Sequence, residues 1–116
     1  MKTKFLTFAF SLMALLSSNV FAVDTAGKVV GYNTLAYGNN FVFSLSQGKV
    51  NPVSCDTNSS VSRAFYTIPL NTPWGKTAAA SIITAKVTGN SVKTYGTGKC
   101  DYWGNTEDAV MVEIQE

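Results

Sequence analysis

The sequence predicts a mainly β domain with one helix, in the order β-β-β-α-β-β, an α+β class. Three observations carry this. Residues 40–47 alternate apolar and polar. Residues 61–70 are rich in β-branched and aromatic side chains. Residues 73–88 form one helical stretch with a start and a stop signal.

Taken in order, "KVVGYNTLAYGNN" (28–40) reads as a β segment that bends at Gly31 and turns at Gly38-Asn39-Asn40 into a hairpin. In "NFVFSLSQ" (40–47), Phe41, Phe43 and Leu45 point one way, and Val42, Ser44 and Ser46 the other. That pattern predicts a strand buried on one face only. "QGKVNPVSCDTNSS" (47–60) is loop by its Gly, Pro, Asn, Asp and Ser content. "VSRAFYTIPL" (61–70) is the third strand.

The helix has Thr72 as N-cap, Pro73 at its first position and Gly89 at its stop. At 100° per residue, Trp74, Ala78, Ile82 and Ala85 share the face expected on the sheet. Ile82 and its neighbours are expected against Phe43 and Val112. Thr77, Ser81, Thr84 and Thr88 form a hydroxyl stripe. Ala79, Ala80, Ile83 and Val87 form a second apolar sector, interrupted by Lys76 and Lys86. An ordinary surface helix carries charge there. The sector is therefore the candidate oligomer interface, unless small residues simply tolerate exposure. After the helix, "SVKTYGTG" (91–98) is a strand ending in glycines. "DAVMVEI" (108–114) sets Val110, Val112 and Ile114 on one face, against Ala109, Met111 and Glu113.

The N-terminus sets the compartment. Lys2 and Lys4 precede an apolar run from Phe5 to Leu16, and "VFA" (20–22) follows. This order predicts a signal peptide over 1–22, with one β domain over 23–116. The run is shorter than the about 20 apolar residues of a spanning helix, so no membrane span is expected after cleavage. The expected location is the bacterial periplasm or the exterior. Cys55 and Cys100 are the only cysteines. In an oxidising compartment they predict a disulfide worth about 4 kcal/mol by chain-entropy arithmetic.

Charge and composition restrict the function. Removing Lys2 and Lys4 leaves a near-neutral chain, without the basic surface that nucleic acid requires. There is no histidine, which removes the commonest general base, the Ser-His-Asp triad and His-ligated zinc. Glu107 and Asp108 are adjacent and, on a strand, point to opposite faces. Asp101 and Glu107 share a loop, where carboxylates usually serve turn chemistry. No catalytic residue, metal site or cofactor is expected, and the chain reads as a non-enzymatic binding protein.

What remains is aromatic. "GTGKCDYWGN" (96–105) places Tyr102, Trp103 and Asn105 beside Cys100. Flat rings under apolar sugar faces, with an amide for the hydroxyls, suit saccharide binding. The same loop also reads as a stapled turn with Trp103 plugging the barrel end.

A resemblance can be added. The helix exit "VTGNSVKTYG" (87–96) resembles the helix, Thr-Gly turn and following strand of the B subunits of AB5 toxins, in the subtilase-cytotoxin and pertussis-like group. The wider segment over about 70–114 also looks like a set of small exported proteins of marine and enteric bacteria. The N-terminal half does not take part, and none of the family's sugar-contacting residues is carried over. The resemblance implies a five- to six-stranded OB-like barrel and a homopentamer with its helices around a pore. It also implies a face for cell-surface glycans and an enzymatic A subunit as partner. A second class stays open: a monomeric periplasmic or secreted accessory protein or inhibitor. Light scattering on the mature protein separates the two.

Overall fold

The computed structural model describes residues 24–115, so the expected signal segment lies outside the described residues. Five strands and one helix follow the predicted order: β1 (Asp24–Leu35), β2 (Asn40–Leu45), β3 (Ala64–Pro69), α1 (Pro73–Thr88), β4 (Ser91–Gly96) and β5 (Ala109–Gln115). A 3-10 turn over Tyr37–Asn39 joins β1 to β2. The strands form one antiparallel sheet in the order β3-β2-β1-β4-β5.

β1 is long enough to serve two partners. Its first half, Asp24 to Lys28, pairs with β4, and its second half, from Val29, pairs with β2. A bulge at Val30 separates the halves. A bulge bends a strand and sharpens its twist, which helps the sheet to curl.

The curled sheet is OB-like but is not a closed barrel, and it has five strands rather than six. Its edges, β3 and β5, meet at one isolated parallel bridge, Thr67 to Asp108. The Thr67 N–H donates to the Glu107 carbonyl at 2.9 Å. The next N–H that a parallel ladder needs from β3 is that of residue 69, which is proline. Proline has no N–H to give, so the seam opens there.

The core lies between the inner face and α1. Phe41, Phe43, Leu45, Tyr66 and Ile68 meet Ala78, Ile82 and Ala85, with Val112 and Ile114 packed against them. The rings of Phe43 and Tyr66 stack at 5.8 Å. The helix begins and ends as predicted. Thr72 Oγ1 accepts the Gly75 N–H at 2.9 Å, and the Gly89 N–H donates to the Ala85 carbonyl at 2.9 Å.

Four expectations need correction. β2 is buried on both faces along all of its length, because it is an interior strand whose far side is also covered; there the Asn40 amide donates to the Tyr102 carbonyl at 3.0 Å. Ala79 belongs to the core and not to the outer sector. With alanines on its inner side the helix sits close to the sheet, and the buried arc widens to about 120°. Trp74 falls just outside that arc and is 41% exposed. Val110 does not share a face with Val112 and Ile114. Tyr95 pairs with Met111 and Gly96 with Ala109, so Val110 is the extra residue of a second bulge. The slip sends Ala109 into the core and leaves Val110 55% exposed.

Candidate functional site

Two loops, 46–63 and 97–108, are clamped together beside the open seam. The predicted Cys55–Cys100 disulfide joins them, with Cα atoms 6.1 Å apart. An ion cluster adds a second tie. Lys49 Nζ donates to Asp56 Oδ2 at 2.6 Å and to Glu107 Oε1 at 2.9 Å. All three residues are buried. The Lys49 ammonium also sits 3.8 Å from the centroid of the Tyr66 ring, close enough for a desolvated cation–π contact. The Asn58 amide donates to Thr106 Oγ1 at 2.7 Å, and the Thr57 N–H to the Asn105 carbonyl at 3.1 Å.

The cluster fits because of a glycine. A Cβ on Gly96 would stand 2.0 Å from Glu107 Oε2, so only glycine lets the carboxylate lie over β4. The same Oε2 accepts the Gly98 N–H at 2.8 Å. Beneath the cluster, the hydroxyls of Tyr66 and Thr25 share a hydrogen bond of 2.8 Å. Burial pushes the Tyr66 phenol well above its ordinary value, against the pull of the Thr25 bond.

Asp108, which lies just ahead of β5, engages a different set of groups from Glu107. Its Oδ2 accepts the Asp101 N–H at 2.9 Å and its Oδ1 the Tyr102 N–H at 3.1 Å. Burial raises the Asp108 carboxyl above the ordinary carboxylate value, and the two backbone N–H groups pull it back in part. The carboxylates considered from sequence thus have separate work. Glu107 holds Lys49, Asp108 holds the loop, and Asp101 is exposed.

Where the seam opens, a groove of about 340 Å³ lies between the start of α1 and the 97–108 loop. Pro69, Thr72, Trp74, Thr97, Tyr102, Ala109 and Val110 line it. Pro69 stops the β3–β5 pairing, and the bulge swings Val110 outward. Gly75 brings the first helical turn down onto β3, where a Cβ would collide with the Pro69 carbonyl at 1.6 Å. Trp74 stands on that turn. Tyr102, 47% exposed, lines the groove from the 97–108 loop. The threonine hydroxyls are engaged locally: Thr72 Oγ1 caps the helix, and Thr97 Oγ1 accepts the Lys99 N–H at 3.1 Å.

Of the three aromatic-loop residues singled out in the sequence, Tyr102 lines the groove. Trp103 is half-buried, and its carbonyl accepts the Thr106 N–H at 3.1 Å. Asn105 is half-buried too, with its carbonyl on Thr57 and its Oδ1 accepting the Thr106 hydroxyl at 3.4 Å. Neither is in the groove lining. The groove's second ring is Trp74, which the helical phase had assigned to the core. Its place in the first turn, ahead of the first core alanine, was the available signal.

On the outer side of α1, Ala80, Ile83 and Val87 are exposed. Beside them, each hydroxyl of the Thr/Ser stripe donates to the carbonyl four residues back, at 2.9–3.2 Å. Among the described residues, no group of three or more His, Cys, Asp or Glu is placed to hold a metal. No described helix is long and apolar enough to cross a membrane. No protein-family model, no curated protein and no solved structure matches the chain.

Proposed function

We propose that this chain is an exported, non-enzymatic binding module whose ligand site is the Trp74–Tyr102 groove, and that its ligand is a saccharide. One observation carries the reading. Two large aromatic rings, each more than two-fifths exposed, line one groove beside a further exposed apolar side chain, Val110. Leaving such rings in water forgoes burial worth about 1.5–3 kcal/mol for a large apolar side chain. Tyrosine and tryptophan supply a flat apolar body with a polar tip, which matches the two-sided chemistry of a sugar ring. The disulfide and the signal-like N-terminus support export to the periplasm or beyond. The AB5-type resemblance adds a ring of subunits around the outer face of α1, and the exposure of Ile83 and Val87 is compatible with it.

A second reading has its own support. The Thr72 and Thr97 hydroxyls already serve the backbone, which makes the groove more apolar than most sugar sites. That favours a protein partner and the accessory-protein class. A panel of immobilised glycans, probed with mature protein and with Trp74→Ala, decides between them. Binding that Trp74→Ala abolishes supports the saccharide; no binding across the panel gives the site to a protein partner. Assembly is read separately. Light scattering should show an oligomer that Ile83→Asp dissociates without unfolding, because charge at the centre of an interface is disfavoured. A wild-type monomer at tens of micromolar would remove the ring and leave the groove untouched.

A further inference from the structure

Lys49 is the one buried lysine among the described residues. Its ammonium sits between two carboxylates and over a ring, with Asp56 Oδ2 at 2.6 Å, Glu107 Oε1 at 2.9 Å and the Tyr66 centroid at 3.8 Å. The side chains of Lys49, Asp56 and Glu107 are 6%, 0% and 11% exposed, so bulk water is kept from all three. The backbone fixes each of them. The Lys49 N–H donates to the Ser60 carbonyl at 2.9 Å, and the Asp56 N–H to the Val53 carbonyl at 2.8 Å. Asp56 Oδ1 accepts the Ser59 N–H at 3.2 Å, and Glu107 Oε2 accepts the Gly98 N–H at 2.8 Å. A buried amine, a carboxyl carbon and a second carboxylate, held together in this way, are the parts of an amide-forming reaction. We propose that Lys49 and Asp56 condense into an intramolecular amide bond, with Glu107 as the proton relay. The bond is a modification of the clamp and does not depend on what the groove binds.

The step balances without any co-reactant. The ammonium first gives one proton to Asp56 Oδ2 along the 2.6 Å bond, leaving an amine beside a carboxylic acid. That neutral pair carries no charge into the dry site. The amine lone pair then attacks Asp56 Cγ. Oδ2 lies one C–O bond, about 1.2 Å, in front of that carbon, so the amine starts close to the about 3–3.5 Å of an attack geometry. The C–N bond forms, and the carbonyl electron pair moves to Oδ1, where the Ser59 N–H meets the new charge. A second proton passes from the nitrogen to Glu107 Oε1, 2.9 Å away, and from there to the Asp56 hydroxyl. That oxygen leaves as water, the carbonyl re-forms at Oδ1, and Glu107 ends as the carboxylate it began as. One C–N bond is made, one C–O bond is broken, one water leaves, and nothing is oxidised or reduced. The amide keeps one N–H, and Glu107 remains there to accept it. Asp56 takes the attack because it is the nearer carboxylate and the fully buried one.

Mass spectrometry reads the bond directly. Mature protein is purified, reduced and denatured, and its mass should lie one water below that of its sequence. Trypsin should fail at the acylated Lys49 and release a single peptide from Val29 to Arg63, lighter by that water, whose fragments place the link between Lys49 and Asp56. Hydroxylamine should leave the link intact, as it leaves an amide, whereas a cyclised aspartyl imide would open and gain mass. Lys49→Arg keeps a cation but has no amine, and should show the full mass of its sequence. Glu107→Gln, followed in freshly synthesised protein, should lose its water about 100-fold more slowly. If either variant does not fold, the wild-type mass and its tryptic peptide decide. A wild-type protein at full sequence mass would overturn the proposal. So would a link that hydroxylamine opens, a link to Glu107, or a Glu107→Gln protein that condenses at the wild-type rate.

Discussion

The clamp and the groove lie side by side and are built on opposite rules. In the clamp, Lys49, Asp56 and Glu107 are buried and bonded to one another, and a disulfide crosses above them. In the groove, Trp74, Tyr102 and Val110 are large, apolar and open to water. One region satisfies every charge it buries; the other leaves apolar surface unburied. The difference teaches that the clamp is where this fold is fastened and the groove is the surface that the fastening presents.

Substitutions should separate the two regions by size of effect. Lys49→Met should cost most, because it leaves two buried carboxylates without a counter-ion. The expected loss is about 3–5 kcal/mol, read as a shift in the urea midpoint at neutral pH. A loss under about 1 kcal/mol would mean that the cluster behaves as a surface ion pair. Replacing Cys55 and Cys100 by Ser opens a loop with a separation of 45 residues, and should cost about 2–4 kcal/mol in the same assay.

Tyr66→Phe gives up the shared hydrogen bond with Thr25, for about 1 kcal/mol at pH 7. It also has an alkaline signature. The unfolded chain ionises Tyr66 near the ordinary value of 10.0, while the folded chain holds the proton to higher pH. Above that point the unfolded state releases a proton the folded state keeps. Stability therefore falls with rising pH, by about 1.4 kcal/mol per unit for this one group. Tyr66→Phe should remove that component from the pH profile of melting. Trp74→Ala should have the smallest effect, within about 0.5–1 kcal/mol, while abolishing binding on the glycan panel. A large stability loss from this variant would move Trp74 from the groove into the core and break the comparison.

The parts that were legible in the sequence are those fixed by neighbours along the chain. Thr72, Pro73 and Gly89 bound the helix because capping is local. Phe41, Phe43 and Leu45 mark β2 by alternation. Cys55 and Cys100 were paired by count and compartment. The remainder depends on residues far apart. Lys49 and Glu107 meet only after the sheet curls, and their loops were read by composition alone. The Val110 bulge answers to the curvature of the sheet, which alternation within β5 does not encode. Tyr102, singled out from the aromatic loop, is exposed and lines the groove. Its partner in the groove, Trp74, comes from another element, brought there by the opening at Pro69.

The division of β1 into two halves has a consequence for how the chain folds. Its second half reaches β2 across the short turn at Tyr37–Asn39, a contact that closes a small loop. Its first half must wait for Ser91–Tyr95, which closes most of the domain. Loop entropy grows with the span closed, and distant pairings slow folding. The hairpin half is therefore the early partner and the β4 half the late one. The first residues of the domain in chain order are therefore among the last to find their places. Thr25 and Tyr66, whose hydroxyls join that late strand to the early meander, mark the step at which the two halves become one sheet.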